Sequence, residues 1–370
     1  MSIKIIKFFD KFLGNILCSI LGNFTSSNSK ILPPKNILII QLWGVGESIL
    51  TLPGISLFQE KYPTSKLTIL TTNRNSDVYP KKFNQKILKL NPFSILSFIV
   101  NNLKHFDTVI DMEEYLNISA IISFFVGRQR IGYSHNSRSK LYTNKILYNS
   151  NQHTSKTFSD LFSPFQIKSN FNSLEPLEFS KKDKFHIDSI LKNLKSKSII
   201  GIAPGAAESA KSRMWPLDYY TSLTNQLLKQ PNRIIIFVGT KEESDLINKI
   251  LKKVNQKNKT INLAGKITLK EFFYLAKKFN LFIGNDAGAM HVSAAQGTKT
   301  IGLFGPNLPT RFSPFGQNNI SIYKGEVCKY SPCINVHKGQ VPDCLYSKTS
   351  KSYQKCMKNI TVKDVLVNIP

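Results

Sequence analysis

The chain has 370 residues, 41% of them apolar and 25 of them phenylalanine; this is a globular composition larger than one hydrophobic core comfortably holds, so two domains are expected. A formal net charge of +27 points to an anionic partner such as nucleic acid, an anionic membrane surface or a phosphorylated substrate, although lysines scattered among isoleucines and asparagines equally suit a compositional bias. No apolar run approaches the roughly 18 residues of a bilayer span, which excludes a transmembrane helix.

The first 26 residues form an element of their own. Ile5, Phe9, Phe12, Ile16 and Ile20 recur at helical spacing while Lys4, Lys7, Lys11 and Asn15 occupy other faces, the pattern of an amphipathic helix. Charges inside the apolar region and the absence of a small-residue cleavage site argue against a signal peptide. Two readings stay open: a helix lying in an anionic membrane interface, or one packed on its own domain.

A polar linker ending in Pro33-Pro34 leads into NILIIQL, a short apolar run of the kind a buried parallel strand shows. The helical pattern of SILTLPGISLFQEKYP and the strand KLTILTT complete a β-α-β unit, and FDTVIDM and RQRIGYS add strands. The chain turns polar and lysine-rich between Ser169 and Lys197. The alternation then restarts with SIIGIAPG and runs through RIIIFVG, INLAG, LFIGN and TIGLFG, each followed or preceded by a helical pattern. The expected architecture is α/β, with two Rossmann-like domains facing each other across a cleft: an N-terminal helix (1–26), a first domain (27–182) and a second (183–370).

In open α/β sheets ligands bind beyond the carboxyl ends of the strands, and three such places carry polar residues and glycines. In LFIGNDAGAMH, Asp286 sits where an N-cap would be, and Ala287 and Gly288 leave the next helix's amides uncovered, an arrangement suited to a diphosphate; His291 lies one turn in. An Asp cap with a core-facing His is the plain alternative. In APGAAESAKSRMWP, Lys211 and Arg213 follow a small-residue loop, fit for a phosphate or simply solvated, with Trp215 as core. In QLWGVGESILTLPG, the G-x-G lacks the third glycine of a dinucleotide fingerprint, but Glu47 on a glycine-flexed loop is placed to act as a general base or to pair with the helix dipole. Four of five cysteines, Cys328, Cys333, Cys344 and Cys356, fall near the end at spacings wider than paired zinc motifs, so reduced thiols are the default and a metal the weaker alternative.

Taken in order, NILIIQLWGVGESILTLPGISLFQEKYP, APGAAESAKSRMWPLDYY, LFIGNDAGAMHVSAAQGTKTIGLFGP and the tail CKYSPC…C…CMKNIT resemble family 9 glycosyltransferases, the lipopolysaccharide heptosyltransferase family. The resemblance implies a GT-B fold, with the acceptor bound mainly by the N-terminal domain and a nucleotide-activated sugar by the C-terminal one. It also implies inverting transfer, typically from ADP-heptose, with no cofactor and no catalytic metal. Carried over by position, Glu47 is the proposed base, with Gly44 and Gly46 on the acceptor side. Gly205, Ala206, Lys211, Arg213, Asp286, Ala287, Gly288 and His291 bind the donor, with Glu242 or Glu243 serving the nucleoside.

Two departures stand out: Glu47 replaces the usual aspartate and Arg213 the usual lysine. The implied partners are a nucleotide sugar and an anionic glycolipid acceptor met at the cytoplasmic face of the inner membrane, not nucleic acid. Arg74, Lys81, Lys82, Lys104, Arg128, Arg130, Arg138 and Lys140 lie in the acceptor half. The rivals are a catalytically idle relative that binds the same ligands and, for the charge alone, a nucleic-acid-binding protein, which lacks any recognisable binding motif.

Overall fold

The structure, a computed structural model, describes residues 3–26, 31, 33–81, 86–194 and 197–369. It divides into two compact units: residues 1–171 with 336–339, and residues 172–335 with 340–370.

In the first unit, β1 (Asn36–Ile40), β2 (Lys66–Thr71), β3 (Lys86–Lys89), β4 (Phe106–Asp111), β5 (Gly127–Tyr133) and β6 (Asn144–Ile146) form one sheet in the order 3-2-1-4-5-6. Its pairings are all parallel. The helices are α1 (Ile3–Gly22), α2 (Val45–Lys61), α3 (Ile95–Asn101), α4 (Asn117–Val126) and α5 (Thr154–Asp160). Leu38 and Ile40 join Val109, Ile122 and Val126 in a buried cluster against which Ile95, Phe98 and Ile99 of α3 pack. Burial of such side chains removes about 1.5–3 kcal/mol of exposure cost each.

The second unit repeats the plan. Its strands β7 (Ser198–Ala203), β8 (Arg233–Phe237), β9 (Thr260–Asn262), β10 (Leu281–Asn285), β11 (Thr300–Phe304) and β12 (Ile320–Tyr323) run 12-11-10-7-8-9, again parallel throughout. Counted from its own first strand this is the same 3-2-1-4-5-6 order, so each unit is a doubly wound Rossmann-type sheet. Its longer helices are α6 (Lys181–Ile190), α7 (Leu217–Leu227), α8 (Ser244–Lys252), α9 (Leu269–Ala276) and α10 (Gly288–Ala295). Trp215, Tyr220 and Leu223 pack with Ile202, Ile283 and Leu303 in its core.

The N-terminal helix packs on its own domain along one edge. Cys18 is buried, Asp10 accepts from the backbone N–H groups of Asn117 and Ile118 at 3.0 and 2.8 Å, and a β-carbon on Gly14 would collide with Asn117, so one edge is fitted to α4. The opposite face leaves Phe9, Phe12, Leu13, Ile16, Leu17 and Ile20 exposed. The side chains of Lys4, Ile5 and Lys7 fall outside the described residues. No described helix is long and apolar enough to cross a membrane.

Candidate active site

Each sheet reverses its strand order once, between β1 and β4 and between β7 and β10. Loops leaving the carboxyl ends of strands at such a switch point diverge and leave a crevice. All three sequence stretches singled out above fall at these two places.

In the second unit the arrangement is centred on Asn285, the last residue of β10 and almost fully buried. Its amide nitrogen donates to the carbonyls of Pro204 and Gly205 at 2.9 and 3.0 Å, and its oxygen accepts from the Trp215 N–H and the Tyr220 hydroxyl, both at 3.0 Å. One side chain thus ties the loop after β7 to the start of α7. Trp215 is core, with its indole N–H donating to the carbonyl of Ile360 at 2.8 Å.

Asp286 departs from expectation. The N-cap of α10 is Ala287, with no side-chain cap bond, because the Asp286 carboxylate turns instead to Asn307, whose Nδ2 donates to Oδ2 at 2.8 Å, and to Arg213 at 3.4 Å. Arg213 also donates to the carbonyl of Asp286 at 3.1 Å. Ala287, Gly288 and Ala289 remain partly exposed, so the first amides of α10 carry the helix's positive end without an acidic cap. His291 is buried one turn in, and its Nδ1 finds no hydrogen-bond partner. Burial and the Arg213 charge push its pKa down to about 3, so the imidazole is neutral near pH 7.

The other residues expected on the donor side separate. Gly205 is buried and Ala206 half-buried, while Lys211 is exposed with its carbonyl accepting from Gln354 at 2.8 Å. Glu242 is exposed. Glu243 is the acid that lies against this loop: a β-carbon on Gly205 or Gly239 would overlap its carboxylate, which also caps Thr240 N–H at 2.7 Å.

In the first unit Gly44 starts α2 with φ 72°, a left-handed conformation that favours glycine. A β-carbon there would fall on the Glu47 carboxylate, which folds back over the first turn of α2. Gly46 is buried beneath the same turn. The loop is braced by Asn75, which donates to the Gln41 carbonyl and to Ser48 Oγ, both at 2.8 Å, and by Thr72, which donates to the Leu42 carbonyl at 3.2 Å. Glu113, after β4, accepts from the N–H groups of Leu42 and Trp43 at 2.6 and 2.9 Å.

Two of the basic residues of this half are buried and spent internally. Arg138 is fully buried, pairing with Asp111 at 2.7 Å and donating to Tyr142, and the Arg130 guanidinium is bonded to the carbonyls of Leu141, Gly127 and Arg128. Neither is available to an anionic acceptor. Lys82 lies outside the described residues.

The four late cysteines line one small cavity with Ser212, Pro306 and Tyr330. All are free thiols, and burial pushes Cys333 up to about 11 and Cys356 up to about 12. Among the described residues no group of three or more His, Cys, Asp or Glu side chains is placed to hold a metal ion.

Asn285, Asn307 and Glu113 are the site residues that sequence reasoning passed over. Asn285 lies inside a segment already singled out, Asn307 directly follows one, and Glu113 directly follows a recognised strand.

Two Rossmann-type units, each with its polar loops at the switch point, are the plan of a GT-B fold, and comparison with known proteins supplies the class, a glycosyltransferase. Residues 102–338 match the model of glycosyltransferase family 9 (heptosyltransferase), and the chain belongs to that family. It is 24% identical over 336 residues to lipooligosaccharide heptosyltransferase 2 of Campylobacter jejuni, covering 90% of this chain and 96% of the relative. Among solved structures, a family 9 glycosyl transferase from Veillonella parvula superposes with a TM-score of 0.74 at 17% identity, covering 92% of this chain and 98% of the other. The ADP-heptose lps heptosyltransferase II of E. coli superposes with a TM-score of 0.69 at 19% identity, covering 90% and 97%.

Proposed function

We propose that this glycosyltransferase moves a heptose from ADP-heptose onto a hydroxyl of a lipopolysaccharide core, with inversion at the anomeric carbon. The acceptor oxygen forms the new bond to that carbon as its proton passes to Glu47. The bond to the β-phosphate oxygen breaks, and the departing ADP carries the negative charge. The amides at the start of α10 and the Arg213 guanidinium stabilise that charge as it develops. Neutral His291 offers an uncharged hydrogen-bonding edge to the sugar or its phosphate.

The observation that carries this reading is the set of Asn285, Asp286, Arg213 and Asn307 bonds, which fixes a cation and an uncapped helix start at one switch point. The relatives' names supply the sugar. The test is to incubate the protein with a panel of nucleotide sugars and deacylated lipopolysaccharide core and to read the product mass. A gain of one heptose from ADP-heptose supports the reading; gain of a different sugar, or none from any donor, contradicts it.

A second reading, a relative that binds donor without transferring it, is motivated by Glu47 in the aspartate position. It requires tight donor binding with no product.

The acceptor is an anionic glycolipid, and we assign its approach to the cytoplasmic face of the inner membrane. The exposed apolar stripe of α1 supports that placement, as do Phe93 and, on or just after α3, Leu96, Val100 and Leu103, all exposed. Both helices pack against α4. Apolar side chains with lysines nearby suit an anionic interface.

A further inference from the structure

We propose that Glu113 is a positioning residue for transfer: it holds the β1–α2 loop in the conformation that presents Glu47. The inference rests on the reading of Glu47 as the base.

Glu113 is nearly fully buried, and one oxygen of its carboxylate accepts three bonds: the backbone N–H of Leu42 at 2.6 Å, that of Trp43 at 2.9 Å, and Gln41 Nε2 at 3.2 Å. Gln41 Nε2 also donates to the Trp43 carbonyl at 2.9 Å. These are the last residues before Gly44, whose positive φ sets the direction of α2's first turn, and Glu47 lies in that turn. The opposite, carbonyl side of the loop is held by Asn75 and Thr72. Glu113 therefore supplies the remaining half of the grip.

Glu113 is itself fixed. Its N–H donates to Asp111 Oδ1 at 3.1 Å, and its carbonyl accepts from Arg138 Nη1. Arg138 is in turn paired with Asp111 at 2.7 Å, and Tyr142 donates to the same carboxylate oxygen at 2.7 Å. The chain from the core of the sheet to the base loop thus runs Tyr142, Arg138 and Asp111, Glu113, then Leu42 and Trp43.

Burial and the neighbouring Asp111 push this carboxyl up to about 8, against the pull of the Leu42 and Trp43 amides, so keeping an acid there costs stability. The second unit makes the same kind of tie with a neutral side chain: Asn285, at the end of β10, grips the loop after β7. Glu113 is its counterpart at the β1/β4 switch point.

The test uses the full chain and four variants: Glu113→Ala, Glu113→Gln, Glu47→Gln, and Glu113→Ala combined with Glu47→Gln. Thermal unfolding and ADP affinity check that the second unit is undisturbed. Glu113→Ala is expected to lower kcat by roughly tenfold or more with the KM for donor unchanged, since a displacement near 1 Å at a reacting group costs on that order. Glu113→Gln, which keeps an acceptor oxygen for the two amides, is expected to restore kcat to within about threefold of the wild type. On the Glu47→Gln background the alanine change should cost little more, less than about threefold, because the group it positions is already gone. Wild-type kcat in a folded Glu113→Ala protein, or a full multiplicative loss on the Glu47→Gln background, overturns the proposal. Failure of the underlying base reading shows separately, as wild-type turnover in Glu47→Gln alone.

Discussion

Arg213 reaches Asp286 twice, donating to its carbonyl at 3.1 Å and lying 3.4 Å from its carboxylate. The pair is largely buried, with side-chain exposures of 16% and 3%, and Asn307 holds the other partner in place. A cation fixed in this way is preorganised for a diphosphate, whereas a free surface lysine would first have to be ordered. Arg213→Ala should weaken ADP binding by about tenfold to a hundredfold, and Arg213→Lys by less, because the charge survives without the planar fork. Calorimetric titration with ADP checks both; equal affinities in all three proteins would remove Arg213 from the donor site.

Asn285→Ala removes four hydrogen bonds at once and strands buried partners on the β7 loop and α7. Unsatisfied buried groups cost about 1–3 kcal/mol each before relaxation. The expected outcome is a loss of roughly 2–4 kcal/mol in urea unfolding of the second unit, together with weakened ADP binding.

The buried titratable groups set opposing pH dependences. Glu113 has its pKa raised to about 8 from 4.5, with Asp111 and Arg138 facing it. Between those values the folded state binds the proton that the unfolded state releases, so its contribution to stability falls as pH rises through this window. His291 is lowered to about 3 from 6.5. There the unfolded state binds the extra proton, so stability falls as pH drops below 6.5 toward 3. Glu113→Gln should flatten the fall in Tm between pH 4.5 and about 8, and His291→Gln the fall from pH 6.5 toward about 3.

The outward face of α1 gives a prediction independent of chemistry. Replacing Phe12 and Ile16, both about half exposed or more, by aspartate should reduce sedimentation with anionic vesicles by roughly tenfold or more while leaving turnover on a deacylated acceptor unchanged. Equal sedimentation of variant and wild type would remove the outward face of α1 from membrane binding.

The central strands were legible because they are buried on both faces and so read as continuous apolar runs, as NILII, SIIGIA and TIGLF do. The strands that patterning leaves unresolved, β3, β6 and β12, lie at sheet edges with half-exposed residues, where neither a run nor a clean alternation survives. The site followed the same logic. The placement of Gly44, Gly205, Asp286 and His291 just beyond strand ends was legible because small residues and a charge interrupt apolar runs there. That Asp286 does not cap α10 was not, because its choice of Asn307 and Arg213 over its own helix depends on residues 21 and 73 positions away. Arg138 was grouped with the basic residues of the acceptor half for the corresponding reason: its partner Asp111 is 27 residues distant.

The central claim is that Glu47 takes the acceptor's proton. The measurement that tests it most directly is single-turnover transfer by Glu47→Gln beside ADP affinity in the same preparation. The account predicts a rate at least roughly tenfold lower with ADP affinity unchanged. Transfer at the wild-type rate would contradict it.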